Sequence, residues 1–78
     1  MTAERFTDSM VRWINQRIAP AGVVIDADTE LFAGGLIDSL RILELIAWTE
    51  RATGRTIPDR QIRMDNFRTP RRIAEVFC

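Results

Sequence analysis

Apolar residues recur at helical spacing in the first part of the chain. The positions that share one face of a helix are Phe6, Met10, Trp13, Ile14 and Ile18. Pro20 and Gly22 follow, and both favour the end of a helix. The pattern therefore predicts a first amphipathic helix from Thr2 to Ile18, with its apolar face turned towards a core.

A second apolar run begins after Asp38 and Ser39, two residue types that cap helix N-termini well. Its apolar residues are Leu40, Ile42, Leu43, Leu45, Ile46, Ala47 and Trp48. They cover a wide surface, so we predict that this second helix is the central one and that Trp48, like Trp13, lies in the core. Gly54 is suited to end the helix, because glycine adopts the left-handed conformation that often follows one.

Two shorter elements are predicted in the last third of the chain. Pro58 opens a short helical turn that carries Ile62, and the Asp-Asn pair at 65–66 breaks it. Thr69 caps the last helix, with Pro70 at its first position, where a missing N–H costs little. The residues expected to face inward in this region are Phe67, Ile73, Ala74 and Phe77.

Residues 19–37 connect the first two helices, and so long a connection in a compact domain needs anchoring. The apolar residues that we expect to pin it onto the core are Val23, Val24, Ile25, Leu31, Phe32, Leu36 and Ile37. Gly34 and Gly35 indicate a tight turn with unusual backbone dihedral angles. Together the elements predict an all-α four-helix bundle, with three main helices, one short helix and a long loop between helices 1 and 2. At this length we expect one domain, 1–78.

The composition is that of an ordinary globular domain, with 46% apolar and 28% charged residues. Histidine is absent and Cys78 is the single cysteine. A Ser-His-Asp or Cys-His catalytic set is therefore excluded, and we expect neither a metal site nor an internal disulfide. Cysteine usage favours a cytoplasmic location, and no secretory signal or membrane-spanning stretch is expected.

The net charge is zero, but the charges are unevenly distributed. Residues 1–50 carry eight acidic residues and four arginines, a net charge of −4, whereas residues 51–78 carry seven arginines and three acidic residues, a net charge of +4. This division is typical of a well-solvated dipolar surface, and it is also compatible with two faces that select different partners. A nucleic-acid partner is not expected, because the domain is not basic overall and its arginines are not interleaved with aromatic residues.

The ten residues that end at Leu40, Leu-Phe-Ala-Gly-Gly-Leu-Ile-Asp-Ser-Leu, resemble the acyl and peptidyl carrier protein family, as do Leu-Glu-Leu at 43–45 and Ile-Pro-Asp at 57–59. The stretch 67–74 is most similar to peptidyl and aminoacyl carrier domains. The resemblance implies that Ser39 carries a covalent 4′-phosphopantetheine arm, whose thiol holds cargo as a thioester, and that the chain is not an enzyme. A helix start suits this role, because free backbone N–H groups and the positive end of the helix dipole favour a phosphate.

The resemblance also implies partners: a phosphopantetheinyl transferase that adds the arm, an adenylating ligase or acyltransferase that loads the cargo, and a downstream synthase or transferase. The positions of the second helix that match partner contacts in the family are Asp38, Leu40, Glu44, Ala47 and Glu50. The chain departs from many fatty-acid carriers at Arg41, Arg60 and Arg63, where acidic residues are common. We expect these arginines to contact a dedicated partner that carries acidic residues.

These observations favour a free-standing carrier in a specialised pathway of the polyketide or nonribosomal peptide type. We expect an aminoacyl cargo in preference to an acyl or polyketide unit, and a D-alanyl-type carrier for cell-wall modification is a further alternative. The competing hypothesis is a non-catalytic interaction module in which Ser39 is only a helix cap and Leu40 is core. A third hypothesis, a helix-turn-helix DNA binder, rests on the turn at 54–58 and the arginine-rich C-terminal part. The zero net charge and the apolar second helix count against it.

Overall fold

The computed structural model describes residues 2–78 and contains three α-helices: α1 (Ala3–Arg17), α2 (Ile42–Thr53) and α3 (Pro70–Phe77). The segments between them include short 3-10 turns at Ala33–Gly35, Ser39–Arg41, Asp59–Gln61 and Met64–Phe67. Residues 2–78 contain no strand, and none of their helices is long and apolar enough to cross a membrane. The predicted all-α class is confirmed, with two 3-10 turns in place of the short helix.

Helix α1 lies at the centre of the core. The Thr2 hydroxyl caps it by accepting a hydrogen bond from the Arg5 N–H at 3.2 Å. Phe6, Met10 and Ile14 are fully buried, and α1 packs chiefly against α3. The residues predicted to face inward near the C-terminus are all buried: Phe67, Ile73, Ala74 and Phe77. Burial of this face stabilises the domain, since each large apolar side chain contributes about 1.5–3 kcal/mol.

Helix α2 is not the central helix, so that prediction is wrong. Only Leu45 and Thr49 of this helix are buried, whereas the side chains of Leu40, just before it, and of Leu43 are 74% and 67% exposed. The apolar arc of α2 is wider than the strip that a domain of this size can cover, and part of it faces solvent. The predicted end is confirmed, because Gly54 has a φ of 70° in the left-handed region.

Two tryptophans, Trp13 and Trp48, lie at the contact between α1 and α2. Trp48 meets the ring of Phe6 edge-on, with 5.3 Å between ring centroids, and stacks on Trp13 at 5.7 Å. Both tryptophans remain partly exposed. The prediction that they lie in the core is confirmed in part, since both pack against the buried cluster and cover its outer edge.

In the segment between α2 and α3, the break in helical conformation comes earlier than predicted. The first 3-10 turn, after Pro58, ends at Gln61. The backbone leaves helical conformation at the next two residues, Ile62 and Arg63, whose ψ values are 81° and 140°. The Asp-Asn pair at 65–66, predicted to form the break, lies inside the second turn. Its asparagine stabilises this arrangement by donating its side-chain amide to the Gln61 carbonyl at 2.9 Å.

The loop between α1 and α2 is pinned to the core by Ile25, Leu31 and Ile37, which are buried as predicted. Val24 is an exception, because its side chain is 84% exposed. Neighbouring side chains in a non-helical segment point in different directions, so the inward position of Ile25 turns Val24 outward.

Candidate functional site

Ser39 is the first residue of the 3-10 turn that leads into α2. The residue is exposed, and its hydroxyl forms no hydrogen bond with any other residue of the described chain, 2–78. The turn is capped by Asp38, whose carboxylate accepts from the Leu40 N–H at 2.9 Å. The hypothesis that Ser39 serves only as a cap is therefore wrong. Because Asp38 does the capping, the hydroxyl stays available to an enzyme in solvent.

The backbone donors of this turn are largely in use. Asp38 accepts from Leu40 through its side chain and from the Arg41 N–H through its carbonyl, both at 2.9 Å. The Ser39 N–H has no acceptor within residues 2–78. Several free N–H groups were expected here, and the structure leaves one beside the hydroxyl. A phosphate on Ser39 thus fits the site with one adjacent backbone donor.

Two glycines and two buried residues position Ser39. Gly34 and Gly35 have φ values of 61° and 75°, a left-handed conformation that residues with side chains rarely adopt. After this turn the Ile37 N–H donates to the Leu31 carbonyl at 3.0 Å. Ile37 is buried, so the chain leaves the core at a fixed point two residues before the hydroxyl.

The earlier part of the loop is fixed by Asn15, a residue that the sequence analysis missed. Its Nδ2 donates to the Ile25 carbonyl at 2.9 Å, and its Oδ1 accepts from the Ile25 N–H at 2.7 Å. The side chain thereby satisfies both backbone groups of a residue that is only 1% exposed. Helical periodicity gives no signal for this role, because Asn15 lies on the polar side of α1.

An ion pair also ties the loop to α3. Arg71 donates to both carboxylate oxygens of Asp28, at 2.7 and 3.1 Å, and its backbone N–H donates to the Ala27 carbonyl at 2.9 Å. The hydrogen bond from Arg71 lowers the pKa of Asp28 below its ordinary value, and the same bond raises the pKa of Arg71. The loop that ends at Ser39 is thus held from both α1 and α3.

The predicted contact residues on the second helix lie together at its start: Asp38, Leu40, Arg41, Glu44 and Ala47. Leu40, Leu43 and Ala47 are exposed and, at this spacing, share one face of the helix. Arg41 forms an ion pair with Glu44, so part of its charge is balanced within the chain. The exposure of Leu43 was not predicted, because the pattern alone does not show which part of a wide apolar arc is covered.

The other predicted contact residues, Arg60 and Arg63, lie on the segment between α2 and α3. Both are exposed, and neither forms an ion pair within residues 2–78. Two apolar neighbours, Ile62 and Met64, are also exposed, and the sequence analysis gave neither of them a contact role.

Glu50 differs from the other matched acidic positions. Its carboxylate accepts from the Ile57 N–H at 2.8 Å and so holds the chain that follows α2. In this structure the Glu50 carboxylate thus bonds the protein's own backbone. Within residues 2–78, no three His, Cys, Asp or Glu side chains are placed to hold a metal ion together.

Comparison with known proteins adds the family. A model of the family described as "phosphopantetheine attachment site" matches residues 10–77, most of the chain. A search of curated proteins and a search of solved structures each gave no match. Members of this family attach 4′-phosphopantetheine covalently to a serine and carry cargo without catalysing a reaction on it. The chain therefore belongs to the phosphopantetheine attachment-site family, that of the acyl and peptidyl carrier proteins.

Proposed function

We propose that Ser39 is the residue to which the phosphopantetheine arm is attached. The family match covers residues 10–77, and Ser39 is the only serine in that range. The other serine of the chain, Ser9, lies before it, within α1. The exposed hydroxyl of Ser39, which has no hydrogen-bond partner within residues 2–78, supports the same choice. The chain has no histidine, and the neighbouring Asp38 carboxylate is bonded to the Leu40 N–H, so we expect the transferase to supply the base that activates this hydroxyl.

Intact-mass measurement tests this assignment. The purified protein is incubated with coenzyme A and a broad-specificity phosphopantetheinyl transferase, beside Ser39→Ala and the matched control Ser9→Ala. The wild type and Ser9→Ala are expected to gain the mass of one phosphopantetheine, and Ser39→Ala is expected to gain none. A mass gain by Ser39→Ala, or none by the wild type while a known carrier is modified, would refute the proposal.

We further propose that partner enzymes contact the start of α2 beside this serine. The predicted contact residues there are Asp38, Leu40, Arg41, Glu44 and Ala47. The exposure of Leu40 and Leu43 supports this surface, since covering both side chains in an interface is worth about 2–4 kcal/mol. Single exposed leucines are common on protein surfaces. Here, however, two lie one helical turn apart and within four residues of the proposed attachment point.

Charge is proposed to select the partner through Arg41, Arg60 and Arg63. The last two have no ion-pair partner within residues 2–78, so acidic residues of an enzyme could pair with them without displacing an internal contact. Replacing both by Glu should slow loading by the cognate enzyme about tenfold, because charges at the rim of an interface act mainly on association rates. Arg12→Glu, an exposed site on α1, is the control. Equal loading rates for the two variants would contradict the proposal.

For the cargo, we propose an aminoacyl group loaded by an adenylating ligase and passed to a downstream synthase or transferase of a nonribosomal peptide or polyketide pathway in the cytoplasm. The similarity of residues 67–74 to peptidyl and aminoacyl carriers supports this choice. The test is the mass of the phosphopantetheinylated protein after incubation with ATP, amino acids and a candidate ligase. A gain only with an acyl-CoA and an acyltransferase would show an acyl cargo instead.

A further inference from the structure

An open groove of about 390 Å³ lies on the tryptophan pair at the contact between α1 and α2. The residues that line it are Trp13, Trp48, Arg51 and Ala52. Both tryptophans and Ala52 pack against the buried core, and both indoles remain partly exposed. Since the indoles also stack on each other, the groove has a fixed apolar floor.

Two arginines without an ion-pair partner lie beside this floor. Arg51 lines the groove one helical turn after Trp48, and Arg17 follows Trp13 by one turn of α1. Both arginines are exposed, and neither forms an ion pair within residues 2–78. Tryptophan and arginine are the residue types that most often dominate the binding energy of protein–protein interfaces.

The acidic residues of α1 lie away from the groove. Each residue turns a helix by about 100°, so Glu4 and Asp8 are about 180° and 140° around α1 from Trp13. Both line a different groove, beside α3. They therefore leave the charge of Arg17 uncompensated.

The acidic residues of α2 are engaged within the chain. Glu44 is paired with Arg41, and the Glu50 carboxylate bonds the backbone that follows the helix. Neither carboxylate pairs with Arg51. The groove thus combines an apolar floor with a surplus of positive charge, which an apolar side chain flanked by carboxylates complements.

The groove and the exposed leucines at the start of α2 face different directions. Trp48 follows Leu43 by five positions, so the two are about 140° apart around the helix. Ser39 precedes Trp48 by nine positions and lies before the helix begins. A segment of chain seated in the groove therefore leaves Leu43 and Ser39 uncovered.

We propose that this groove docks an acidic peptide segment of a partner protein. An apolar side chain of the segment contacts the two indoles, and its carboxylates pair with Arg17 and Arg51. The docked segment retains the carrier beside its partner while the start of α2 stays open to other enzymes. This role goes beyond arm attachment and does not depend on it.

A nucleic acid is also negatively charged but fits the groove less well. Single strands bind by stacking bases on free aromatic faces, and here Trp13 and Trp48 each turn a face to the other. The net charge of the chain is zero, which also disfavours a polyanion. A nucleic-acid probe is therefore one arm of the test.

The experiment titrates the 78-residue protein with a synthetic helical peptide of about three turns, which has Glu along one side and Leu along the other. Two matched peptides replace every Glu by Gln or every Leu by Ser, and oligo(dT) is the nucleic-acid probe. Trp13 and Trp48 are the only tryptophans, so their fluorescence and their two indole N–H signals in NMR spectra report on the groove directly.

The acidic leucine peptide is expected to shift both indole signals and to leave the backbone N–H signals of Ser39 and Leu43 unchanged. Replacing its Glu or its Leu residues should weaken binding about tenfold in each case, because the apolar anchor and the charges both contribute.

Variants of the protein test the two arginines. Arg17→Gln and Arg51→Gln should each weaken binding about threefold and the double variant about tenfold, since exposed ion pairs contribute modestly and separate sites add. Glutamine is chosen because glutamate in the last turn of a helix would oppose its dipole. Arg5→Gln, two turns of α1 before the groove and also outside any ion pair within residues 2–78, is the matched control and should bind like the wild type.

Several results would overturn the docking groove. These are equal binding of the Gln or Ser peptide, tighter binding of oligo(dT), shifts at Ser39 and Leu43 without shifts of the indoles, and equal affinity of the wild type and the double variant. Failure of arm attachment is distinguishable, because it appears as a missing mass gain in a separate reaction and leaves these titrations unchanged.

Discussion

The side chain of Asn15 offers a direct test of how the loop before Ser39 is held. Its amide bonds both backbone groups of Ile25, at 2.7 and 2.9 Å. Asn15→Ala removes both partners at once and leaves the N–H and the carbonyl of a buried residue unsatisfied. Asn15→Asp keeps the acceptor for the N–H but replaces the donor with a carboxylate oxygen facing the carbonyl.

The expected cost follows from these contacts. Leaving one buried donor or acceptor unsatisfied costs about 1–3 kcal/mol, and some water reaches this partly buried site, so we take about 1.5 kcal/mol for each of the two groups. Alanine regains about 0.6 kcal/mol because it favours the interior of α1 more than asparagine does. The free energy of unfolding should therefore fall by about 2.4 kcal/mol. For a domain of this size that lowers Tm by about 10–15 °C.

Thermal and urea unfolding monitored by circular dichroism measure this change. Gln16→Ala is the matched control, because Gln16 is an exposed neighbour on α1 whose side chain forms no hydrogen bond with the rest of residues 2–78. The control should change the free energy of unfolding by less than about 0.5 kcal/mol. If Asn15→Ala were no less stable than Gln16→Ala, the clamp would not hold the loop and the reasoning would be refuted.

Three further changes test other contacts. Asp28→Asn removes the ion pair with Arg71. Because folding lowers the pKa of Asp28, the ion pair stabilises the domain above about pH 4, and this stabilisation is lost as the pH falls through the lower folded-state pKa. Wild type and variant should therefore differ in stability near neutral pH and converge in acid unfolding curves. Glu50→Ala should destabilise the domain by about 1–2 kcal/mol in urea unfolding by leaving the Ile57 N–H unsatisfied, whereas Glu50→Gln, which keeps an acceptor, should cost much less. Gly54→Ala should lower the free energy of unfolding by about 1 kcal/mol, because alanine is strained at a φ of 70°. No steric clash adds to this cost, since nothing lies within 4 Å of an added Cβ. Equal stability of the variant and the wild type would contradict this reasoning.

Local signals predicted the last helix well. The Thr69 side chain accepts from the Arg72 N–H at 3.0 Å, Pro70 occupies the first position, and Phe67 is buried before the cap. All of these depend on residues close in sequence. The same holds for Gly54, because a left-handed residue at the end of a helix is selected by its own backbone.

The features that the sequence did not predict depend on contacts between distant parts of the chain. The apolar pattern of α2 shows how wide its hydrophobic arc is, but the way in which the helix packs on the core decides that Leu45 is covered and Leu43 is not. The clamp of Asn15 joins residues ten positions apart through a side chain whose type is common on helix surfaces. At the site itself, Asp38 and Ser39 were equal candidates for the cap, and the choice required the geometry of the 3-10 turn.

That choice explains how one short segment can be both stable and reactive. A capping serine would have to give up its hydrogen bond before its hydroxyl could be modified, and the start of the helix would be weakened at each modification. With Asp38 as the cap, the bond to the Leu40 N–H can persist whether or not Ser39 carries an arm. The start of α2 meets the core through Ile42 and Leu45, whereas Leu40 and Leu43, the apolar residues nearest to Ser39 on the outer surface, are exposed. Chemistry and partner binding at this end of α2 can therefore occur without disturbing the packing on which the fold depends.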